Sequence, residues 1–428
     1  MKIDKLIDKY NQKESLMVIS PYPKKGEKYS GNSCGAVGAV VKNTLMAFKK
    51  SKKRKIIVLT MTINDNKDDV YEEDGILVIR CLKRNQVLSF LTLIQVIKKF
   101  DKVSRILIEF EFAAYGDILV ASIFPGIMIY LRLIKKNLTI VLHQVIFNIN
   151  QLSVHIGLDK SALKLNFFKI LLKVYYWLVG KAACRIVVLE EELKKRLSSL
   201  ISPAKIYVIP LGVDKNFKIL AKNLARKKIK LKKNEIILLL FGYLTWYKGV
   251  DWIIETFGKK EYKIGSKKLK FFIAGGFSFS QRNKKHYQRY LQKINTLSKK
   301  AVNIEITGYV TEEDINVYYS AADLVILPYR VFMGSPAPLS LSFAFEKPFI
   351  ISKKMADIFK TQDFKEILNK NGVKKENISF YFRKESFIKT VEYAYKNLSK
   401  LSAVSKSMRK KRSFENLDNY YIKLFYDE

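Results

Sequence analysis

The residues best suited to bind an anion lie in the segment 241–252, which reads FGYLTWYKGVDW. An apolar run of strand length ends at Phe241, and Gly242 allows the tight turn that must follow it. Lys248 comes just before the predicted start of a helix near Gly249. A strand end, free backbone N–H groups and a lysine together predict a phosphate site. The alternative is an ordinary strand-to-helix turn that binds no ligand.

Two more polar side chains stand at predicted strand ends in the first half of the chain. His143 ends the apolar run 138–143, from which its side chain can reach a ligand at the sheet edge. Glu111 directly follows the run 105–110. We take both as candidate site residues. The alternatives are a hydrogen-bonded histidine that binds no ligand and a glutamate that is only a surface or capping residue.

Histidine and cysteine usage argues against a metal site and against disulfides. The three histidines and three cysteines lie far apart, without the short spacings that metal ligands show. The absence of a Cys-x-x-Cys pair favours a reducing compartment, and we therefore expect a cytoplasmic protein. These residues are His143, His155, His286, Cys34, Cys81 and Cys184.

Apolar runs of strand length alternate with segments of helical spacing, which favours parallel sheets that are covered on both faces. Six runs precede Pro210 and five follow Asn234, while the stretch 215–234 is rich in Lys and Arg. The runs are 16–20, 56–62, 76–80, 105–110, 138–143, 185–189, 235–241, 270–274, 303–307, 323–328 and 348–352.

The two series of runs predict an α/β chain with two doubly wound, Rossmann-like domains. We expect the first domain at residues 1–213, a basic linker at 214–234 and the second domain at 235–400. Residues 401–428 are helical in composition, and their aromatic side chains need a surface to cover. Ligands of such sheets bind at the carboxyl ends of the strands, so we expect the site in the cleft between the domains.

The charge balance predicts an anionic partner. The chain has 78 Lys and Arg against 39 Asp and Glu, a net charge of +39, which suits a membrane surface, a nucleic acid or a phosphorylated substrate. Basic runs at 49–55, 226–233 and 409–412 and the Lys- and aromatic-rich segment 163–179 are candidate contacts with anionic lipid. Solvated faces and a core-facing helix are the alternatives. Nucleic acid is disfavoured because no known nucleic-acid-binding module occurs.

Neither the start of the chain nor its longest apolar stretch predicts a segment that spans a membrane. The polar start of the chain lacks the apolar segment of a secretory signal, and we expect none. The longest apolar stretch, 118–131, contains Pro125 and is shorter than the ~20 residues that a spanning helix needs. It predicts a buried helix of a soluble domain, with a membrane-inserted segment as the alternative.

The anion-binding segment resembles a motif of the family-4-type glycosyltransferases, which have the GT-B fold. Residues 241–252 are similar to the family element FxGRLxxxKGxD. Three further segments resemble family elements in the same order along the chain. They are VIPLGVD at 208–214 (family VIPNGVD), YSAADLVILPY at 319–329 (YxAADxxVLPS) and EKPFIIS at 346–352 (GKPVVAS). In the first half, SCGAV at 33–37, IEFEF at 108–112 and VLHQ at 141–144 resemble CGIA, QHEYG and TLHT of one branch.

The resemblance implies a nucleotide-sugar donor that is held mainly by the second domain, and transfer with retention of anomeric configuration. It also implies that the C-terminal helix crosses back onto the first domain. The family's histidine and lysine positions fall on His143 and Lys248, which we expect to be catalytic. The donor-binding candidates are Gly242, Tyr243, Gly334, Ser335 and Ala337, and the candidates on the acceptor side of the cleft are Gly31, Gly35 and Glu111.

The chain departs from the family pattern at the donor site. Many members carry a Glu-x7-Glu pair for the donor's sugar and ribose, and here Met333 and Leu341 occupy those positions. The family's phosphate-binding arginine is Tyr243, whereas the lysine is kept as Lys248. The intervening residues 334–340 still resemble a glycine-led loop that opens a helix, with proline in its first turn and N–H groups for a phosphate.

We therefore expect a retaining glycosyltransferase that moves a sugar to a lipid-linked or polymeric glycan, as a peripheral protein on the inner face of an anionic membrane. No Asp-x-Asp pair occurs, which agrees with a metal-independent enzyme that needs no cofactor. One alternative is a non-catalytic GT-B-like subunit that binds a glycan or a partner protein. Another is a related phosphorylase or synthase that uses a sugar phosphate.

Overall fold

The computed structural model describes residues 2–27, 35–51, 54–63, 69–147, 149–157, 162–231, 234–278 and 280–426. The chain divides into two compact units. Unit 1 consists of Met1–Phe147, Ile170–Gly212 and Phe414–Glu428, and unit 2 of Asn148–Lys169 and Val213–Ser413. The segment 148–169 and the segment 401–413 thus belong to unit 2, whereas the sequence led us to expect them elsewhere.

The sheet of unit 1 has its described strands in the order β3-β4-β2-β1-β5-β6-β7-β8. All neighbours are parallel except β3, which is antiparallel to β4. Both faces of β4 are buried, as expected of a strand with helices on both sides. The strands are β1 Leu16–Ile19, β2 Ile56–Met61, β3 Val70–Glu73, β4 Ile76–Leu82, β5 Arg105–Phe110, β6 Asn137–Leu142, β7 Arg185–Val188 and β8 Ile206–Val208.

Helices cover the two faces of this sheet according to the direction of the crossover. Helix α2 leads from β1 to β2, while α3, α4 and α6 lead towards β5, β6 and β7 in the opposite direction. Because crossovers between parallel strands are right-handed, α2 lies on one face and the other three share the opposite face. The helices of this half of the chain are α1 Lys2–Tyr10, α2 Gly35–Ser51, α3 Ser89–Lys98, α4 Ile118–Leu133, α5 Ser153–Ile156, α6 Ala162–Ala182 and α7 Glu191–Leu197.

The sheet of unit 2 has the order β10-β11-β9-β13-β14-β15, with β12 beside β11. Its strands are β9 Glu235–Phe241, β10 Lys263–Ile264, β11 Lys267–Ala274, β12 Ile304–Ile306, β13 Leu324–Leu327, β14 Phe349–Ser352 and β15 Ser379–Phe380. Its further helices are α8 Lys222–Lys228, α9 Val250–Phe257, α10 Lys285–Ser298, α11 Glu312–Ala321, α12 Ala337–Ala344, α13 Gln362–Lys370, α14 Lys384–Lys396 and α15 Leu398–Lys411.

The last helix, α16 Phe414–Tyr426, belongs to unit 1 and packs on α2. The Phe48 ring of α2 lies 6.3 Å from the ring of Phe425 and 6.1 Å from that of Tyr426. The guanidinium of Arg54 lies over the Tyr426 ring at 3.4 Å. The return of a C-terminal aromatic helix to the first half of the chain is confirmed.

The basic segment 214–234 is docked on unit 2 through α8, which packs on α11. Arg226 donates to a carboxylate oxygen of Asp323 at 2.5 Å and to the carbonyl of Ala321 at 3.2 Å. Lys222 also pairs with Asp323. These bonds fix a segment that its composition alone suggested to be a linker or an exposed helix.

The predicted fold class is confirmed by these two α/β units with mostly parallel sheets. Each of the eleven predicted runs overlaps a strand. The sequence reading missed β3, β8, β10 and β15, which have two to four residues each and leave little pattern to detect. In the described part of the chain, no helix has the length and apolar character needed to cross a bilayer.

Candidate active site

Three loops meet at the carboxyl edge of the unit 2 sheet, after β9, β11 and β13. Backbone hydrogen bonds join the first loop to the second, with Gly242 N donating to Ala274 O at 2.9 Å and Leu244 N donating to Gly276 O at 2.8 Å. Arg330 N donates to Tyr247 O at 2.7 Å and so ties the third loop to the first. The edge is therefore a rigid backbone frame around the motif that the sequence singled out.

Two glycines allow this frame to close. Gly242 has φ +101°, and a Cβ there would lie 2.5 Å from Nζ of Lys248. Gly249 has φ +71°, and a Cβ there would lie 2.1 Å from the carbonyl oxygen of Pro328. Both backbone conformations suit glycine, and the absence of a side chain at each position lets a neighbouring group approach closely. Glycine at 242 thus makes the space that the Lys248 amine occupies.

Lys248 has a buried amine that makes no hydrogen bond or ion pair with the residues that the structure describes. Its side chain is 6% exposed, and within the described ranges no hydrogen-bond acceptor or carboxylate pairs with Nζ. Burial lowers the pKa of Lys248 to about 7, because removal from water disfavours the charged form. Such a group gains most from an anion that comes from outside the protein.

The start of α12 borders the same glycine. The position of a Cβ on Gly242 lies 3.8 Å from Cγ of Pro338, which is the second residue of α12. The helix begins at Ala337 without a side-chain cap, Pro338 has no N–H, and the amides of Leu339 and Ser340 donate to the carbonyl of Pro336 at 2.9 Å and 3.4 Å. In this first turn the N–H of Ala337 is therefore the one left for another acceptor. The predicted loop 334–340 does open a helix with proline in its first turn, and Gly334, Ser335 and Ala337 are half-buried.

The segment 149–157 adds a histidine to unit 2 that sequence reasoning did not place. The ring of His155 lies 5.0 Å from that of Tyr247, and its Nε2 accepts from Nε2 of Gln281 at 3.0 Å. His286 Nε2 donates to the backbone carbonyl of His155 at 3.0 Å. Burial lowers the pKa of His155 to about 4, so its ring is neutral at pH 7. No sequence signal links His155 to a partner more than 100 residues away.

In unit 1 a carboxylate holds the predicted histidine. His143 Nε2 lies 2.7 Å from Oε2 of Glu109, and both side chains are buried. Glu109 lies on β5 and His143 follows the adjacent strand β6, so parallel pairing brings them together at the carboxyl edge. Sequence reasoning missed Glu109, although a lone carboxylate inside the apolar run 105–110 was a signal for it.

A small cavity lies beside this pair on the α2 and α16 side of unit 1. Its lining includes Glu109, His143, Thr44 of α2 and Tyr421 of α16. The loop 210–212 that follows β8 closes another side. The imidazole therefore contacts a carboxylate and borders a cavity, as a group that orients or protonates a ligand requires.

The other acceptor-side candidates have separate places. Glu111 accepts from Nε2 of Gln144 at 2.7 Å, and burial raises the pKa of its carboxyl. Gly35 is the first residue of α2. Gly31 lies outside the described residues. Among the residues that the structure covers, no three His, Cys, Asp or Glu side chains come together as metal ligands would.

Comparison with known proteins gives a family match within the unit that contains Lys248. Residues 235–375 match the family model described as Glycosyl transferases group 1. The match assigns a group 1 glycosyltransferase domain to this part of the chain. A search of curated proteins finds no match to it.

Solved structures resemble the glycosyltransferase over nearly its whole length and share the GT-B fold. Sucrose-phosphate synthase from Thermosynechococcus elongatus is 14% identical with a TM-score of 0.71, covering 97% of this chain and 100% of that one. Anabaena HepE in complex with UDP and glucose is 13% identical with a TM-score of 0.62 and the same coverage. WaaG, a glycosyltransferase involved in lipopolysaccharide biosynthesis, is 12% identical with a TM-score of 0.61, again with that coverage.

These comparisons confirm the family type, the fold class and the enzyme class that the motifs implied. The subdivision into family 4 and the roles of individual residues remain predictions. The glycosyltransferase carries Met333 and Leu341, both half-buried, where the family pattern has its carboxylate pair, and half-buried Tyr243 in place of the arginine. Lys248 is thus the cationic side chain that remains from the motif.

Proposed function

We infer that this glycosyltransferase moves a sugar from a nucleotide-sugar donor to a glycan acceptor, with retention of configuration and without a metal ion. The observation that carries the proposal is Lys248, a buried amine with no partner in the described structure, beside Gly242 and the start of α12. A diphosphate supplies the negative charge that this position lacks. The resemblance of the fold to HepE in complex with UDP and glucose supports a uridine nucleotide as the first donor to test.

The proposed chemistry places the positive charge where the leaving group becomes negative. The bond between the anomeric carbon and the diphosphate oxygen breaks, and the nucleoside diphosphate leaves with the bonding electrons. The acceptor hydroxyl attacks the sugar from the same face, and its proton passes to the oxygen of the leaving diphosphate. The ammonium of Lys248 and the N–H of Ala337 at the start of α12 stabilise the leaving diphosphate, and a preorganised donor of this kind typically supplies 10²- to 10³-fold in rate.

On unit 1, we assign His143 as the second residue of the reaction. The 2.7 Å contact with Glu109 fixes the imidazole ring, so its other nitrogen is free to meet a sugar hydroxyl. Glu109 acts through His143 and is a positioning residue. Glu111, directly after β5, and Gly35, the first residue of α2, remain candidates for the acceptor side.

The acceptor we propose is a lipid-linked or polymeric glycan, reached by a cytoplasmic protein that binds the membrane surface. The net charge of +39 supports an anionic surface near the acceptor. The similarity in fold to WaaG, a glycosyltransferase involved in lipopolysaccharide biosynthesis, supports an acceptor of this class.

The test is donor binding and turnover with the purified full chain. UDP and GDP are titrated by calorimetry, and the hydrolysis of UDP- and GDP-sugars is followed without acceptor and with a membrane glycolipid extract. We expect micromolar to millimolar binding of one nucleotide and slow hydrolysis of its sugar. Absence of binding by both nucleotides and of any turnover would overturn the proposal.

A second candidate is a non-catalytic GT-B-like subunit that binds a glycan or a partner protein. It is favoured by Met333 and Leu341, because neither side chain can accept a hydrogen bond from a sugar or ribose hydroxyl as a carboxylate can. Binding of a glycan without nucleotide binding or sugar transfer is its signature in the same assays. The Met333→Glu, Leu341→Glu double variant asks whether restored carboxylates raise turnover.

A further inference from the structure

Helices α3, α4 and α6 meet around one aromatic side chain at the carboxyl end of β5. The rings of Phe90 on α3 and Phe124 on α4 lie 5.7 Å apart. Phe110, the last residue of β5, lies 5.1 Å from Phe124 and 5.9 Å from Tyr175 of α6. The three helices therefore form one layer on the face of the unit 1 sheet opposite α2.

The outer side of this layer is apolar. The residue before α3, the first turn of α4 and the solvent side of α6 expose large hydrophobic side chains, which we call the apolar face. It comprises Leu88, Ile118, Leu119, Ile170, Val174 and Trp177. A soluble monomer rarely exposes so many large apolar side chains in neighbouring elements without a binding partner.

Helix α6 has two apolar sides rather than one. Tyr175, Tyr176 and Val179 are buried in unit 1, as the core-facing alternative requires. A second stripe is exposed at spacings of four, three, four and three residues, and so lies along one line of the helix. It consists of Leu163, Phe167, Ile170, Val174 and Trp177, which are 84%, 59%, 61%, 46% and 49% exposed. Core packing accounts for the first side only.

Every charged side chain of these three helices is basic. Helices α3, α4 and α6 contain no Asp or Glu, and their charged residues are Lys98, Arg132, Lys164, Lys169, Lys173 and Lys181. Lysines beside an apolar stripe can extend to phosphate groups while their stems stay in apolar surroundings. Two copies of this chain meeting through the stripe would instead bring lysines together with no carboxylate on these helices to offset them.

We propose that the apolar face of unit 1 inserts into the headgroup region of an anionic lipid bilayer, with α6 lying in the plane of the interface. The inference rests on the proposed function in one respect, since a membrane-bound acceptor explains why the enzyme needs this contact. The face lies at the carboxyl end of β5, the strand that carries Glu109. A glycan that emerges from the bilayer would therefore reach the edge of the sheet where His143 lies.

Several arginines of the basic runs 226–233 and 409–412 form ion pairs within unit 2 and do not contact lipid. Arg412 is buried and pairs with both carboxylate oxygens of Asp363, at 2.6 Å and 2.9 Å. Arg409 pairs with Glu346 at 2.8 Å, and Arg226 pairs with Asp323. These arginines stabilise unit 2, so the predicted contribution of runs 226–233 and 409–412 to lipid binding is reduced by their structural roles.

The experiment is co-sedimentation of the full chain with vesicles of phosphatidylcholine alone or with 30% phosphatidylglycerol. The Ile170→Glu, Val174→Glu variant places two carboxylates on the apolar face, and we expect its partition coefficient on anionic vesicles to fall at least tenfold. The control is Ile219→Glu, Val302→Glu, which changes two exposed apolar residues of unit 2 and should bind like the wild type. Circular dichroism and thermal unfolding establish that both variants fold.

A second pair of variants tests the charge. Removal of two surface lysines by Lys173→Gln, Lys181→Gln should weaken binding to anionic vesicles about thirtyfold, while Lys259→Gln, Lys260→Gln on unit 2 should change it much less. The wild type should also bind less tightly as salt rises from 0.1 M to 1 M, because the Debye length falls from about 10 Å to about 3 Å.

Three results would overturn the inference: equal binding of wild type to neutral and anionic vesicles, equal binding of the apolar-face variant and its control, or no binding at all. A concentration-dependent dimer that the apolar-face variant abolishes would assign the face to a second copy instead. Donor hydrolysis in solution is measured on the same samples. Its loss with vesicle binding intact counts against the proposed function alone.

Discussion

The two units hold their buried ionisable groups in opposite ways. In unit 1, His143 lies 2.7 Å from the carboxylate of Glu109, so the protein itself supplies the partner. In unit 2, the equally buried Lys248 has none among the described residues, and its pKa falls to about 7. A paired group is held in one orientation, whereas an unpaired cation makes a site for an external anion. From this comparison we expect unit 1 to orient a ligand through His143 and unit 2 to bind an anion through Lys248.

Unit 2 provides its own reference for this argument. Lys347 is a second lysine whose pKa is lowered by burial, to about 8. Its Nζ donates to the carbonyl oxygens of Ser320 at 2.9 Å and Ala322 at 3.2 Å, at the end of α11. The lysine serves the fold, as expected for a cation at a helix C-terminus. Lysine thus has a structural role at position 347, whereas at position 248 its amine has no partner among the described residues.

The largest effect should come from Lys248→Met, which removes the charge and keeps much of the volume. We expect turnover to fall by about 10²-fold or more, the usual scale for one preorganised electrostatic contact. The matched control is Lys347→Met, which should lower the melting temperature while leaving the nucleotide dissociation constant close to that of wild type. Unchanged kinetics for Lys248→Met would break the comparison.

The next effect is a pH dependence of nucleotide binding. Above pH 7 the Lys248 amine of the free enzyme is mostly neutral, so binding of a diphosphate must bring a proton with it. The association constant should therefore fall by roughly tenfold per pH unit between pH 7 and pH 9. Calorimetry in buffers of different ionisation enthalpy measures the proton taken up. Lys248→Met should bind with no such slope, and a slope that survives in the variant assigns the titration elsewhere.

The same pKa shift fixes the sign of a stability effect. The folded-state pKa of Lys248 lies below the ordinary lysine value of 10.5, so the unfolded chain binds more protons between pH 7 and pH 10.5. The free energy of unfolding contributed by this residue should rise with pH across that window. Denaturant titrations at pH 7 and pH 9 should show a smaller difference for Lys248→Met than for wild type.

A smaller kinetic effect is expected from Glu109→Gln in unit 1. The amide keeps the size of the side chain and one hydrogen bond to His143 but removes the charge, so turnover should fall by about tenfold. The loss should appear in kcat more than in KM, since the variant no longer fixes the orientation of the imidazole that meets the sugar. A drop in melting temperature with an unchanged kcat would reduce Glu109 to a structural residue.

The smallest effect should be that of a chelator. If Lys248 and the start of α12 supply the positive charge at the diphosphate, turnover should be the same with and without EDTA. Activity that is lost with EDTA and restored by magnesium or manganese would contradict the metal-free mechanism and sharpen the question of what Lys248 does.

The geometry of the proposed donor side was more predictable than that of the proposed acceptor side for a local reason. Gly242 and Lys248 are six residues apart and lie on one strand-to-helix connection, so their proximity follows from the sequence. Met333, Leu341 and the loop that opens α12 were likewise readable from one segment. Glu109 was missed because its relation to His143 exists only when β5 and β6 pair. His155 was missed because its partners, Gln281 and His286, belong to a distant helix and loop.

The basic segments show where composition misleads. A run of lysines and arginines predicts a solvated or membrane-facing surface, and the sequence cannot show that Asp323 lies 97 positions beyond Arg226 and yet bonds to it. The exposed apolar stripe of α6 is the opposite case, because the sequence shows it but does not say whether it is buried. Its spacing is visible in the sequence, but a helix with apolar residues on two sides does not reveal which side the core takes.

The sequence by itself determined the alternation of strands and helices, the glycine that turns the chain after β9 and the cationic residue that follows it. These features depend on neighbours within one element, where periodicity and side-chain type act directly. Only the tertiary structure decided that Lys248 has no partner in the described chain, that Glu109 holds His143, and that Arg412 is buried against Asp363. Burial and pairing depend on side chains brought from distant positions, and the free energy of a charge is set by those neighbours rather than by its own sequence context.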